Sequence, residues 1–413
     1  MSRKLLKQIR SEWKSNLWLA VELLIVSVVM WYILDYFYVS LSVYNEPRGF
    51  NIDHTYKLNF SHLSEGSPDF SNDSDAGEDL MKLLERVQRI PFVEAAALGN
   101  NSHPYNGSNS GSDIKIDTFA LSMASNIYTI RRVVTPDFMK VFRYEGANGE
   151  TPEQLAEILK RGDLLISNNL LDDYGHKVTE YVGGSAFLDG NDETPWTIGA
   201  AVNRVKYGDY MPWMDRTIFF WEPGWTPYMN ELVIRVKPEL DSDIEDQIMA
   251  MASRDLQVGN WYIGSVKKFS DIRRNFQLGD TNQIRNYSVG MGFLLLNIFL
   301  GLLGTFWFRT QQRVHEIAIR MTTGASRADV FRRLLGEGLL ILSIVTVLAV
   351  GIDIVLAHLE FNAYYQSEYL QWGRLFICAG VAYALIAVMI ILGVSIPARR
   401  AMRIEPAVAL HAE

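Results

Sequence analysis

The chain has 413 residues, 48% of them apolar, a net charge of −8 and a mean hydropathy of +0.02, averages that hide a strong segregation along the sequence. Its single cysteine, Cys378, excludes an internal disulfide, a cysteine-rich metal site and a thioredoxin-type pair, and in its apolar run it reads as a buried structural thiol. The absence of any long basic stretch excludes nucleic acid as a partner, and the composition excludes a disordered or collagenous chain.

Residues 1–16 place Leu5, Leu6, Ile9 and Trp13 at three- to four-residue spacing with Lys and Arg around them. That is the pattern of an amphipathic helix lying on a membrane surface, a frayed basic tail being the plainer alternative. Residues 17–39 form the first of four runs long enough to cross a bilayer, which takes about 20 apolar residues. A removable signal peptide has an apolar core of about 7–15 residues, so this longer run, interrupted by Glu22, reads as a retained anchor.

Residues 40–287 alternate strand and helix patterns. Tyr56–Phe60 alternates as a strand, and Glu78–Arg89 sets Leu80, Leu83, Leu84 and Val87 on one helical face. Phe92–Leu98 reads as the next strand. The same order recurs with Glu231–Val236, a helix over Asp241–Leu256, and Trp261–Val266, giving two β-α-β units around an inserted portion of about 100–225. That insert opens with an Asn/Gly/Ser loop and continues with a strand ending in Val134. Thr135-Pro136 is expected to cap a short helix, followed by a helix near 151–160 and strands at Leu164–Ser167 and Trp196–Asn203. Its aromatics Phe219, Phe220, Trp221, Trp225 and Tyr228 read as a core or subdomain-interface cluster rather than a ligand cage. Helix-prone 268–287 is expected to run into the second span, 288–308. The connection 309–338 follows, then a third span over 339–357, a short loop at 358–374, a fourth span over 375–396 and a tail at 397–413.

Lys and Arg fix the expected topology. Residues 1–16, 309–338 and 397–413 carry a net charge of +8, against −12 for 40–287. Basic flanks stay cytoplasmic, so both termini and the 309–338 connection are placed inside, with 40–287 outside. The fold class expected is therefore a membrane protein of four transmembrane α-helices, with a large α+β extracytoplasmic domain between the first and second.

Chemistry is hard to find. No G-x-x-x-x-G-K-[ST] loop, H-E-x-x-H pair or G-x-S-x-G elbow occurs, and no catalytic residue, metal site or cofactor is expected. The stretch 67–79 imitates a calcium loop, but Gly77 comes one position early and no Glu holds the twelfth place, so a solvated loop is expected. Ser265-x-x-Lys268 and Ser11-x-x-Lys14 match a nucleophile spacing by chance. Glu22, Asp35 and Asp353 lie within the spans, where a charge costs roughly 2.5–3.5 kcal/mol at a helix centre; polar contacts between helices or hydration at the interface are preferred over a proton or substrate path.

In the 309–338 connection, Gly324 closes one helix and Ser326 or a neighbour opens another. Arg313, Glu316, Ile317, Ile319, Arg320, Gly324 and Ala325, with Glu337 downstream, resemble the cytoplasmic loop of MacB/FtsX-type ABC transporter permeases. Pro397, Arg399 and Arg400, with Pro406 after them, resemble that family's closing motif. Val134–Phe138 and Ile198–Val202 resemble pieces of the MacB-type core domain. Ala318 stands where glycine is usual, and Thr322-Thr323 occupies a normally aliphatic turn, departures that bear on how the loop meets its ATPase.

The resemblance implies a permease subunit of the bacterial inner membrane that pairs with a second permease, as a homo- or heterodimer, and with a separate ABC ATPase subunit. A periplasmic adaptor, lipoprotein or enzyme would be a further partner besides the lipid bilayer. It also implies that motion of the ATPases is relayed outward for export or extraction of a substrate. The alternative is a mechanotransmitting regulator of a periplasmic enzyme or sensor kinase. On either reading the chain itself is not an enzyme.

Overall fold

A computed structural model describes residues 13–401 apart from 117–126, 192, 212, 313–318, 320, 321 and 367. The amphipathic segment expected over 1–16 lies outside the described residues as far as Glu12. The chain divides into two units, Val43–Gly279 on one hand and the residues to Ser42 with those from Asp280 on the other.

The second of these is built from four long helices, Trp13–Asn45, Leu278–Gln312, Arg327–His358 and Trp372–Ala401. All four contain a stretch long and apolar enough to cross a membrane. They outrun the apolar windows of the sequence because polar composition alone does not end a helix. The first stops only at Glu46-Pro47, where proline disfavours helical backbone in the residue before it. The second starts at Leu278, ten residues before the apolar run. Leu19, Leu23, Val26 and Met30 recur at helical spacing and bury against Ile298, Leu302, Leu342, Val345, Ile386 and Ile390. Gly393 permits a close approach, since a Cβ there would lie 3.2 Å from Leu302 Cβ and 3.3 Å from the Phe299 carbonyl oxygen. Large side chains such as Phe293, Val347 and Phe376 stay exposed, as lipid-facing positions of a membrane helix do.

The Val43–Gly279 unit runs β1 (Thr55–His62), α1 (Ala76–Gln88), β2 (Val93–Asn100), β3 (Ser110–Ile116), β4 (Ile127–Val134), α2 (Phe138–Phe142) and α3 (Pro152–Lys160). It continues with β5 (Leu164–Ser167), β6 (Ser185–Leu188), β7 (Trp196–Val202), β8 (Thr217–Phe220), β9 (Glu231–Val236), α4 (Ile244–Ala252), β10 (Trp261–Lys268) and α5 (Phe269–Phe276). The strands lie in the order β10-β1-β9-β2-β4-β3-β6-β7-β5-β8, and β4 also pairs with β8. Two architectures are therefore joined. β10, β1, β9 and β2 form an antiparallel sheet in which β9 separates β1 from β2, the split β-α-β arrangement. The other strands close on themselves through β4–β8 into a six-stranded ring that leaves no free edge.

Local signals explain the frame. Asp75 caps α1 by accepting from the Glu78 amide at 2.9 Å, and Leu80, Leu83, Leu84 and Val87 are buried against the sheet. Thr151 and Gln154 form a capping box ahead of Pro152 in α3. β9 is buried along its whole length. Leu232, Ile234 and Val236 join one core cluster and Val233 the other, an apolar run typical of a strand covered on both faces. Glu231 on the same strand anchors the Asn/Ser-rich loop, accepting from the Ser102 amide at 2.7 Å, the His103 amide at 2.9 Å and Asn106 Nδ2 at 2.6 Å.

Three expectations need correction. Thr135 does not cap a helix. The helix begins at Phe138, and Thr135 Oγ1 instead accepts from the Leu98 amide at 2.9 Å, tying β4 to β2. The helix expected from Asp241 starts at Ile244, because Pro238–Leu240 forms a separate 3-10 turn and Asp241 is engaged elsewhere. The segment 268–287 is not one helix but two, parted at Gln277.

Candidate functional site

Of the residues singled out in the 309–338 connection, Arg313, Glu316, Ile317 and Arg320 lie outside the described residues, as does Pro406. Ile319 is helical and about half exposed. The Thr323 amide donates to the Ile319 carbonyl at 3.0 Å and Thr322 Oγ1 donates to the same oxygen at 2.8 Å, so the threonines close a helical turn with their own hydroxyl chemistry. Gly324 then takes φ +100°, a conformation open to glycine and strained for other residues. Ala325 is half-buried. Ser326 starts the third long helix through a capping box: its Oγ accepts from the Asp329 amide at 3.2 Å, and Asp329 Oδ2 accepts from the Ser326 amide at 3.1 Å. Glu337 is buried two turns farther on, Pro397 is buried inside the fourth helix, and Arg399 near its end is exposed. Arg400 falls in the same helix.

Of the three intramembrane acids, Asp35 makes a polar contact between helices. Asp35 on the first helix pairs with Arg374 Nε of the fourth at 3.0 Å. It also accepts from Asn362 Nδ2 at 3.2 Å and the Ala363 amide at 3.3 Å, while Asn362 and Arg374 both donate to the Tyr369 carbonyl. A buried charge with its counter-ion and further donors replaces part of the hydration it loses. Glu22 lies against Gly301, its Oε1 2.8 Å from where a Cβ on that residue would stand. Asp353, fully buried, borders a cavity of about 10 Å³ beside Ser27, Trp31, Thr346 and Tyr383, room for one water.

A third constellation sits where the Val43–Gly279 unit receives its two chain connections, residues 43–54 and 268–277, here called stems. The irregular segment 203–215 between β7 and β8 grips both. Lys206, fully buried, donates from Nζ to the carbonyls of Val43 and Glu46. Arg204 bridges Glu46 at 2.9 Å and Asp215. Asp209, 1% exposed, accepts from Tyr105 Oη at 2.7 Å and Arg273 Nε at 2.7 Å, with Arg48 Nε at 3.4 Å. Tyr44 stacks on Tyr210 with ring centroids 5.2 Å apart.

Burial acts to raise the Asp209 pKa, but the hydrogen bonds from Tyr105 and Gln277 and the charges of Arg48 and Arg273 outweigh it, and the carboxyl stays below its ordinary range. Burial likewise pushes the Lys206 ammonium below its usual value.

A second clamp lies close by. Asp241 accepts from His54 Nδ1 at 2.6 Å and from Tyr56 Oη, with Lys268 Nζ at 3.6 Å. It too is held below the carboxylate range: burial opposes ionisation, and Tyr56, His54 and Lys268 overcome it. Arg235 completes the hold on the first stem, donating to the carbonyls of Val141, Asp53 and Asn51 at 2.7–2.8 Å. Burial brings its pKa down to about 10.

Pattern reading did not find this constellation. Its signal is a run, Asn203 to Arg216, dense in charges and aromatics yet without helical or strand periodicity.

Residues 288–406 match the family model for the FtsX-like permease C-terminal domain. The matched stretch takes in the second helix from residue 288 onward, the 309–338 connection and the third and fourth helices, and it supports an FtsX/MacB-type ABC permease family. Permeases of this kind generally work with ATPase partners. No curated protein matches the chain.

Proposed function

We propose that this chain is the permease subunit of an ATP-driven machine of the bacterial inner membrane. An ATPase outside these 413 residues docks on the 309–338 connection, and its motion passes through the long helices to the Val43–Gly279 unit on the periplasmic side. There it serves export or extraction of a substrate. One observation carries the reading: the family match over residues 288–406 takes in the 309–338 connection, where Gly324 turns at φ +100° and Ser326 caps the third long helix.

The paired stems favour mechanical relay over conduction. A protein that passes substrate between its spans needs a polar path, whereas Asp35 is paired with Arg374, and the charged clamps sit on the stems. The same mechanics would serve a regulator of a periplasmic enzyme or sensor kinase. The two readings differ in whether a transported compound or a stable enzyme partner accompanies the complex.

The test is reversal of both charges of the connection, Glu316→Arg with Arg320→Glu, in the complex purified with its ATPase. Loss of ATPase binding, or of its stimulation by the permease, is expected. Unchanged coupling would remove those residues from the docking site.

A further inference from the structure

We infer that the cavity between the first, third and fourth long helices is a proton-binding site, in which the Asp353 carboxyl holds a proton against a single enclosed water. The inference concerns the four-helix unit alone and stands apart from any role in transport.

Orphaned polar atoms come first. Ser27 and Trp31 on the first helix and Asp353 on the third line the cavity of about 10 Å³, together with Ala379 and Ala382 of the fourth. Asp353 Oδ1, Ser27 Oγ and Trp31 Nε1 are all buried, and none has a hydrogen-bond partner among the described residues. A buried polar atom left in that state costs about 1–3 kcal/mol. Three of them around room for one water make a hydration site rather than a packing defect. The other hydroxyls of the wall are engaged: Thr346 Oγ1 donates to the Leu342 carbonyl at 2.8 Å, and Tyr383 Oη lies 3.1 Å from Ser343 Oγ.

Charge decides what the carboxyl holds. Asp353 is 1% exposed, and no cation among the described residues pairs with it. The neighbouring helices bring four titratable groups to this region: Asp35 from the first, and Arg374, Cys378 and Tyr383 from the fourth. Arg374 alone of these is cationic. Asp35 engages it at 3.0 Å, and its buried Nη1 makes no bond to Asp353. Two acids against one guanidinium leave one negative charge uncompensated. An unpaired carboxylate in a medium of low dielectric is relieved by taking up a proton, and Asp353 is the acid without a counter-ion.

A metal cation is the poorer occupant. The Trp31 indole N–H is a donor only and turns positive charge away. No group of three or more His, Cys, Asp and Glu side chains gathers among the described residues. With a proton on Asp353 Oδ1, one water accepts from that oxygen and from Trp31 Nε1 and donates to Ser27 Oγ, so three bonds satisfy all three orphaned atoms. Loss of the proton would set a second carboxylate in competition with Asp35 for Arg374, since the charge of Asp35 already acts on Asp353. Proton occupancy is thereby tied to the contact that joins the first helix to the fourth.

Infrared spectra of the full-length protein and of Asp353→Asn, both in a maltoside detergent that has no carbonyl group of its own, test the site. They are recorded in sodium-free choline chloride buffer at neutral pH, where a carboxyl in water is ionised. The expected result is a protonated-carboxyl C=O band in the native protein that Asp353→Asn lacks; every other carboxyl is present in both and cancels in the difference. Should the asparagine variant fold poorly, Asp353→Glu takes its place and should move the band rather than remove it. Trp31→Phe, which takes one donor from the water, should shift the band, and an unshifted band would strike the water from the site. Identical carbonyl regions in the native protein and the Asp353 variant would overturn the proposal, because the carboxyl would then be ionised. A band that disappears when NaCl is added would also overturn it, since a metal cation would then be the occupant.

Discussion

Replacing Asp209 with asparagine removes a charge from the centre of the stem clamp without changing its shape. Tyr105 keeps an oxygen to donate to, but Arg48 and Arg273 lose their counter-ion. Removing one partner of a fully buried pair costs about 3–5 kcal/mol. The two guanidinium groups are 32% and 24% exposed and recover part of that from water, so about 2 kcal/mol is expected. Asp209→Ala should cost about 3–4 kcal/mol, because it also leaves the buried Tyr105 hydroxyl without its acceptor. For a unit of this size each kcal/mol lowers Tm by about 2–4 °C, giving about 4–8 °C for the asparagine variant by thermal unfolding of the full-length protein in detergent.

The pH dependence is a sharper check. Asp209 has a folded-state pKa below its unfolded value, so its contribution is complete above the unfolded pKa of about 3.9 and disappears as pH falls through the folded one. The gap between native protein and variant should therefore hold from pH 7 to about 5 and close below about pH 4. An Asp209→Asn protein with an unchanged Tm at pH 7 would refute the reasoning. So would a gap that persists undiminished at about pH 3, since a steric cause would not titrate.

Asp35→Leu should destabilise the four-helix unit by about 3–5 kcal/mol, seen as a lower detergent melting temperature, and Asp35→Leu with Arg374→Met should recover much of it, as burying neither charge costs less than burying one. Gly324→Val is expected to cost about 1–2 kcal/mol through its φ of +100°, and to lower permease-stimulated ATPase activity with membrane insertion intact. Ser326→Ala should cost about 1 kcal/mol at the same helix start, read by hydrogen exchange over residues 327–330. Gly393→Leu should force apart the second and fourth helices at Leu302 and Phe299, measurable as lost crosslinking between cysteines placed across that contact.

Much of the frame was legible because it rests on periodicity and composition. The four apolar runs fall within the long helices, and the face made by Leu80, Leu83, Leu84 and Val87 is buried as its spacing implies. The four strands at 55–62, 93–100, 231–236 and 261–268 lie side by side in one sheet. The closed ring made by β4 pairing with β8 was not legible, since strand order depends on contacts between distant segments that leave no local period. Thr135 shows a different failure: its sequence neighbours suit a cap, but its hydroxyl finds a better partner in the Leu98 amide across the sheet. Asp209 and Lys206 escaped for a related reason. A buried charge is recognised by its partners, and theirs lie over 60 residues away at Arg273 and about 160 away at Val43 and Glu46.

The pairing of β1 with β10 has a mechanical consequence. Tyr56 faces Lys268 at the first rung of that ladder, so the stem entering β1 and the stem leaving β10 meet at the same end of two neighbouring antiparallel strands. A force drawing the stems apart would act on that rung alone and open the ladder one hydrogen bond at a time, the geometry in which a sheet yields most easily. A force moving them together would load the whole sheet as a rigid body. The Asp241 group stands at this rung, binding His54 and Tyr56 on one side and Lys268 on the other, and the Asp209 group spans Arg48 and Arg273 beside it. Two ionic rivets across the mouth of a zipper let the unit be pushed and pulled as one piece while barring the single motion that would unfasten it.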